Sequence, residues 1–217
     1  AVLCGSYIWA LANGYNLTNM AYLAASVLCI IAISGLAQQS TARVGNACGM
    51  VGVGLGVLAT LGNCGYSLPV LTQIAAATAI GGAIGTYIAK RVPLTDLPQL
   101  VACFNSFVGL AAVLTSFASY IVHPQDIIHS IAVWLGTFIG GITFTGSMTA
   151  FLKLDGRISS KALNLPGKNL INLSMAALSV ASFAYFLYNP TMQAAMLSLG
   201  AATVLSGILG VHLTASI

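Results

Sequence analysis

The chain has 217 residues, 58% of them hydrophobic and only 5% charged, with a mean hydropathy of +0.95. A soluble domain carries about 25% charged residues, so this chain cannot cover a water-facing surface and belongs in a membrane. Its net charge of +4 reads as an orientation signal, and a nucleic-acid-binding patch is excluded.

The apolar residues come in long runs rather than alternating ten-residue segments, which favours helices over a β-barrel. A span needs about 20 mostly apolar residues. Residues 1–12 are apolar but short for one. Spans are predicted near 18–36, 45–62, 68–89, 99–122, 127–152, 169–188 and 191–217. The expectation is an all-α membrane protein, a polytopic bundle of about seven transmembrane helices forming a single transmembrane domain over 1–217. The breaks are "AQQSTAR" (37–43), "GNCGYS" (62–67), "KRVPLTDLP" (90–98), "HPQD" (123–126), "KLDGRISSKALNLPGK" (153–168) and "NP" (189–190). Asp96 and Asp126 stand where helix starts are expected, suited to capping or charging a first turn.

With seven spans, Arg43, Lys90, Arg91, Lys153, Arg157, Lys161 and Lys168 all fall on one side of the membrane. The other side has Asp126, His123 and His129. This segregation follows the positive-inside rule, and a wrong span count would scramble it. The basic loops should face the cytoplasm or the mitochondrial matrix.

Glycines recur at four-residue spacing: Gly45/Gly49, Gly52/Gly56, Gly81/Gly85 and Gly136/Gly140. Each pair shares one helix face, where a neighbouring backbone can approach closely, and helix packing is the reading taken for all eight. Gly52-Val-Gly-Leu-Gly56 is glycine-rich but lies within a span, with no strand and helix around it to make a dinucleotide fingerprint. The cysteines Cys4, Cys29, Cys48, Cys64 and Cys103 lie far apart with no CxxC pairing and read as small buried hydrophobes; no metal site is expected. Asn16-Leu-Thr18 fits a glycosylation sequon and carries no weight.

Away from their ends, the spans contain no Asp, Glu, Lys or Arg. Their polar residues include Asn105, Ser106, Thr143, Thr145, Ser147 and Asn172, and His212 is the one intramembrane titratable group counted. Proton relays normally rely on ionisable residues held in the membrane. Hydroxyls and amides can order water, but their protonation equilibria lie far from pH 7.

Three blocks carry a resemblance: "GGAIGTYIAKRVPLTDLPQLVACFNSFVGLAAVLTSF" (81–117), "GTFIGGITFTGSMTAFLKLDGRISSKALNLPGKN" (136–169) and "GVHLTASI" (210–217). Together they resemble the β-subunit-type membrane domain of proton-translocating NAD(P) transhydrogenase, and "AYLAASVLCIIAISGLAQQSTARVGNACGMVGV" (21–53) does so more weakly. The resemblance implies a domain that carries protons while separate soluble domains bind the nucleotides. No cofactor is therefore expected in this chain; NAD(H) and NADP(H) would be bound only by partner domains.

The chain departs from that pattern. Many members have a histidine, thought to pick up and release the proton, where Asn105 stands; some are reported to carry it on another helix. The family pattern places an acidic loop and two further membrane helices after "HLTASI", and no nucleotide-binding domain is visible. Taken as complete, the chain is expected to be a non-catalytic accessory subunit of a larger respiratory complex in the mitochondrial inner membrane. Its partners would be other membrane subunits and lipids. The alternative is the proton-channel part of an active transhydrogenase completed by other chains, in a mitochondrial or bacterial inner membrane. In that case Asn105, Ser106, Thr143, Thr145 and His212 would face a shared water path.

Overall fold

Eight α-helices and one 3-10 turn, with no β-strand among the described residues, make up a computed structural model of the chain. The structure describes residues 2–15, 17–63, 67–124, 126–163, 166–189 and 191–217. Asn16 of the sequon and Cys64 lie outside them. Among the described residues, seven helices are long and apolar enough to cross a membrane. The protein is a helical integral membrane protein.

The chain forms two compact units, Ala1–Ile84 and Gly85–Ile217. In the first, α1 (Val2–Ala12), α2 (Thr18–Leu36) and α3 (Ala42–Asn63) pack together. Residues 1–12 were too short to read as a span, and the structure gives them a short helix. Tyr7 of α1, Ala21 and Ala25 of α2, and Leu55 and Ala59 of α3 form the core. α2 and α3 run antiparallel at close range. A Cβ on Gly45 would stand 2.8 Å from Gly35 C, and one on Gly52 would stand 3.0 Å from Ala25 O. Gly49 and Gly56 face the methyls of Ala32 and Ala25 at 3.4 and 3.7 Å.

α4 (Leu68–Arg91) runs from the first unit into the second. None of its described residues is buried. A Cβ on Gly81 or Gly85 would meet nothing within 4 Å. At its end the Arg91 guanidinium lies 4.3 Å above the Tyr87 ring, a favourable cation–π arrangement.

The second unit holds α5 (Leu97–Val122), α6 (Ile127–Leu154), α7 (Lys168–Tyr188) and α8 (Met192–Ala215). The two aspartates behave differently at their helix starts. Asp126 accepts from Ile128 N–H at 3.0 Å and caps α6. Asp96 makes no cap bond; it closes the 3-10 turn Leu94–Asp96 and accepts from the Thr95 hydroxyl, while Pro98 opens α5. Two residues past the end of α6 the chain turns at Gly156, whose φ of +73° is open to glycine at little cost.

α6 packs against both α5 and α8, and α7 lies on α8. The core of this unit joins Tyr120 of α5, Val133 and Trp134 of α6, Phe186 of α7, and Ala195, Leu199 and Ala202 of α8. Trp134 stacks on Phe138 at 5.2 Å and tilts against Phe183 at 4.8 Å. Without a hydrophobic drive between helices in lipid, close packing and hydrogen bonds hold the unit.

The segment after α6 folds back onto the last turn of α8. Leu163 N–H donates to Ala215 O at 2.8 Å, and Lys153 Nζ donates to Thr214 O at 3.2 Å and Ala215 O at 3.0 Å. A cation on terminal carbonyls also complements the negative end of the helix dipole.

Candidate functional site

The polar groups of the second unit lie along three helix seams. The α5–α6 seam is polar at several levels from end to end. Near one end, Gln99 Nε2 donates to Leu154 O at 3.2 Å. Two turns in, Asn105 Nδ2 donates to Ser147 Oγ at 2.9 Å. At the middle the backbones meet, with Gly109 against Gly140 and Phe144. Beyond lies Ser116, buried and facing Gly136, and then Ser119, whose Oγ stands 2.7 Å from His129 Nε2.

The α6–α8 seam is tighter. Thr145 Oγ1 donates to Gly207 O at 2.7 Å and Gly141 O at 3.1 Å. Ser206 Oγ lies against Gly141 and donates to Thr203 O. In the α7–α8 seam, Ser182 and Ser198 exchange bonds: the two hydroxyls are 2.9 Å apart, and each donates to the other's carbonyl, at 3.1 and 2.7 Å. Nearer the basic end, His212 Nδ1 meets Asn172 Oδ1 at 2.7 Å.

The residues named from sequence are thus spread over the unit. Asn105 stands on the α5–α6 seam and is exposed on its outer side. Ser106 is fully buried, its hydroxyl spent on Cys103 O at 2.7 Å. Thr145 serves the α6–α8 seam, His212 the α7–α8 seam, and Thr143 is half-buried on α6. The structure pairs Asn105 with Ser147 and His212 with Asn172, and no hydrogen bond among the described residues joins two of the five.

Among the described residues, three buried side-chain polar atoms have no hydrogen-bond partner: His129 Nδ1, Trp134 Nε1 and His212 Nε2. His129 escaped the sequence reading because it falls in the first turn of α6, next to loop residues. Its signal is a histidine one helical turn past the Asp126 cap, opposite Ser119; recognising it requires the α5–α6 register. Both histidines therefore have one nitrogen anchored on a neighbouring helix and the other buried without a partner.

The anchors differ chemically. An amide oxygen only accepts, so His212 Nδ1 carries the proton it gives to Asn172 and Nε2 keeps a lone pair. A serine hydroxyl both accepts and donates. The lysines, arginines and aspartates among the described residues stand at helix ends or in loops. Lys153 is held on the α8 carbonyls, and Arg157 is paired with Asp155. No group of three or more His, Cys, Asp or Glu among the described residues could hold a metal ion. Cys4, Cys29, Cys48 and Cys103 are free thiols and half-buried.

Comparison with known proteins agrees with the sequence resemblance. The family model for the NAD(P) transhydrogenase beta subunit matches residues 18–217. Two curated sequences named NAD(P) transhydrogenase subunit beta, both from Rhodospirillum rubrum, are 44% identical to the chain over 161 residues. That stretch is 70% of this chain and 34% of each relative, so the match spans about a third of the relatives' length. The chain belongs to the NAD(P) transhydrogenase beta subunit family.

Proposed function

We propose that this chain is a proton-conducting membrane part of a proton-translocating NAD(P) transhydrogenase. Hydride would pass between NADH and NADP+ in soluble nucleotide-binding domains, and proton passage through the helices of this chain would be coupled to it. The partners are those domains and the other membrane subunits, with lipids around the bundle. The basic loops, including 153–168, would lie on the matrix or cytoplasmic side of a mitochondrial or bacterial inner membrane, against the soluble domains. The glycine pairs would serve as packing faces, those of α4 toward a partner.

The observation that carries this reading is the presence of two half-buried imidazoles in the helices, His129 and His212, each anchored through one nitrogen and with its other nitrogen buried and unpartnered. Histidine is the side chain whose charge changes in the physiological pH range, and an ionisable group inside a membrane bundle is a functional candidate by default.

A second reading rests on Asn105. Its amide cannot hold a proton near neutral pH and is satisfied by Ser147. On that ground the chain would be an accessory subunit of a respiratory complex, keeping the fold without the proton chemistry. The test is to reconstitute the natural protein with its associated chains into vesicles. NADH-driven NADP+ reduction should accelerate under an imposed proton gradient. A folded preparation indifferent to the gradient would leave the accessory reading standing.

A further inference from the structure

The end of the second unit that carries His123 and Asp126 holds an arrangement suited to exchanging protons. His129 Nε2 lies 2.7 Å from Ser119 Oγ, and His129 Nδ1 is buried without a partner. In a neutral ring with Nε2–H donating to the hydroxyl, Nδ1 carries the lone pair. His123 is exposed and presents its ring edge-on to His129, the centroids 6.5 Å apart. Asp126, also exposed, stands three residues before His129 with its carboxylate on the Ile128 N–H.

The titratable groups of the elements packed around this end are few. α5 brings Tyr120 and His123, the last turn of α7 brings Tyr185 and Tyr188, and the first turns of α8 bring none. Arg91 and Lys153 stand toward the opposite end of the unit. No lysine or arginine stands at this end of the unit. Inward of Ser119, Ser116 follows one turn deeper on α5, buried on the same seam.

We propose that His129 is the proton-exchanging residue of this membrane unit, doing in the α5–α6 seam what Asn105 cannot. The inference rests on the proton-conducting reading. A proton from the water at the His123 end adds to the Nδ1 lone pair and makes an imidazolium. The Nε2 proton then passes to Ser119 Oγ as that hydroxyl gives its own proton to a water molecule deeper in the seam. The ring is left neutral with its proton on Nδ1, and it resets when the ring turns over. No electrons move. His212 is less suited: its anchored nitrogen faces an amide oxygen that accepts a proton's hydrogen bond but passes nothing on.

The test uses the whole natural protein with its nucleotide-binding domains in sealed vesicles. Proton uptake is followed with an internal pH dye while NADPH reduces an NAD+ analogue. His129→Gln keeps a side chain able to reach Ser119 but not one able to titrate. Its proton-coupled rate should fall by about a hundredfold, and the pH profile should lose one limb, while nucleotide binding to the whole protein is retained. Ser119→Ala should slow coupling and displace the pH profile while the imidazole stays in place; it decides the matter if the glutamine variant fails to fold. Wild-type rates and an unchanged pH profile in a folded variant would overturn the assignment of His129 alone. A wild-type protein that catalyses hydride exchange yet moves no protons would overturn the proton-conducting reading and this inference with it.

Discussion

Gly109 of α5 and Gly140 of α6 face each other reciprocally. A Cβ on Gly109 would stand 2.7 Å from Gly140 O, and a Cβ on Gly140 would stand 2.8 Å from Gly109 O. Those distances leave no room for a methyl group without moving a backbone. Gly140→Ala should therefore destabilise the second unit by about 1–3 kcal/mol, the cost of overpacking. Gly85→Ala, where nothing lies within 4 Å, should be neutral or slightly stabilising, because alanine favours the helix by up to about 1 kcal/mol. Unfolding midpoints in one detergent compare the two; equal losses would contradict the packing difference.

The Asn105–Ser147 bond predicts a modest structural effect. Asn105→Ala should cost about 0.6–2 kcal/mol, the range for an interhelical hydrogen bond in a membrane. Proton-coupled hydride transfer should continue in the variant. A folded Asn105→Ala protein that has lost coupling would place the amide in the proton path.

Ser182 and Ser198 form the only reciprocal side-chain clamp among the described residues of the α7–α8 seam. Removing one hydroxyl leaves its partner's bond to the backbone carbonyl in place but removes the 2.9 Å contact between the two hydroxyls. Ser182→Ala and Ser198→Ala should therefore be non-additive, with a coupling energy of about 0.6–1.7 kcal/mol in a double-mutant cycle. Strict additivity would show that the two hydroxyls do not act together.

Lys153 ties the segment after α6 to the end of α8. Lys153→Met should cost about 1 kcal/mol at the helix terminus. Amide exchange at Leu163, whose N–H is bonded to Ala215 O, should then speed up by about fivefold. Unchanged exchange would mean that the Leu163 bond holds the segment without the lysine.

Much of this architecture was legible before any coordinates, because long apolar runs leave a chain few choices in lipid. The seven long helices follow from that alone, as do breaks at Gly156 and after Val122. Other features needed geometry. Asp96 and Asp126 look alike in sequence, yet only Asp126 reaches an N–H, because a 3-10 turn intervenes at Asp96. Four-residue glycine spacing looks the same at Gly45 and at Gly85, but one meets a neighbouring backbone and the other meets nothing in this chain. The candidate polar residues shared a property in sequence, polarity within a span, that says nothing about which way each points. Rotation by about 100° per residue sends Thr145 to α8 and leaves Ser147, two positions on, to Asn105 of α5. His129 was missed for the related reason that its partner Ser119 lies on another helix.

The chain's two tryptophans fall one in each compact unit, and their surroundings are opposite: Trp9 is 66% exposed, Trp134 only 4%. Trp134 is wrapped by Phe138 and Phe183, whereas Trp9 is open to whatever solvent, detergent or lipid surrounds the first unit. The protein thus carries a built-in pair of fluorophores, one reporting the interior of α6–α8 and the other the outer surface of α1. Quenchers confined to lipid tails or to water can interrogate the two separately, so the loss of one unit's packing can be timed against the other's without attaching any label.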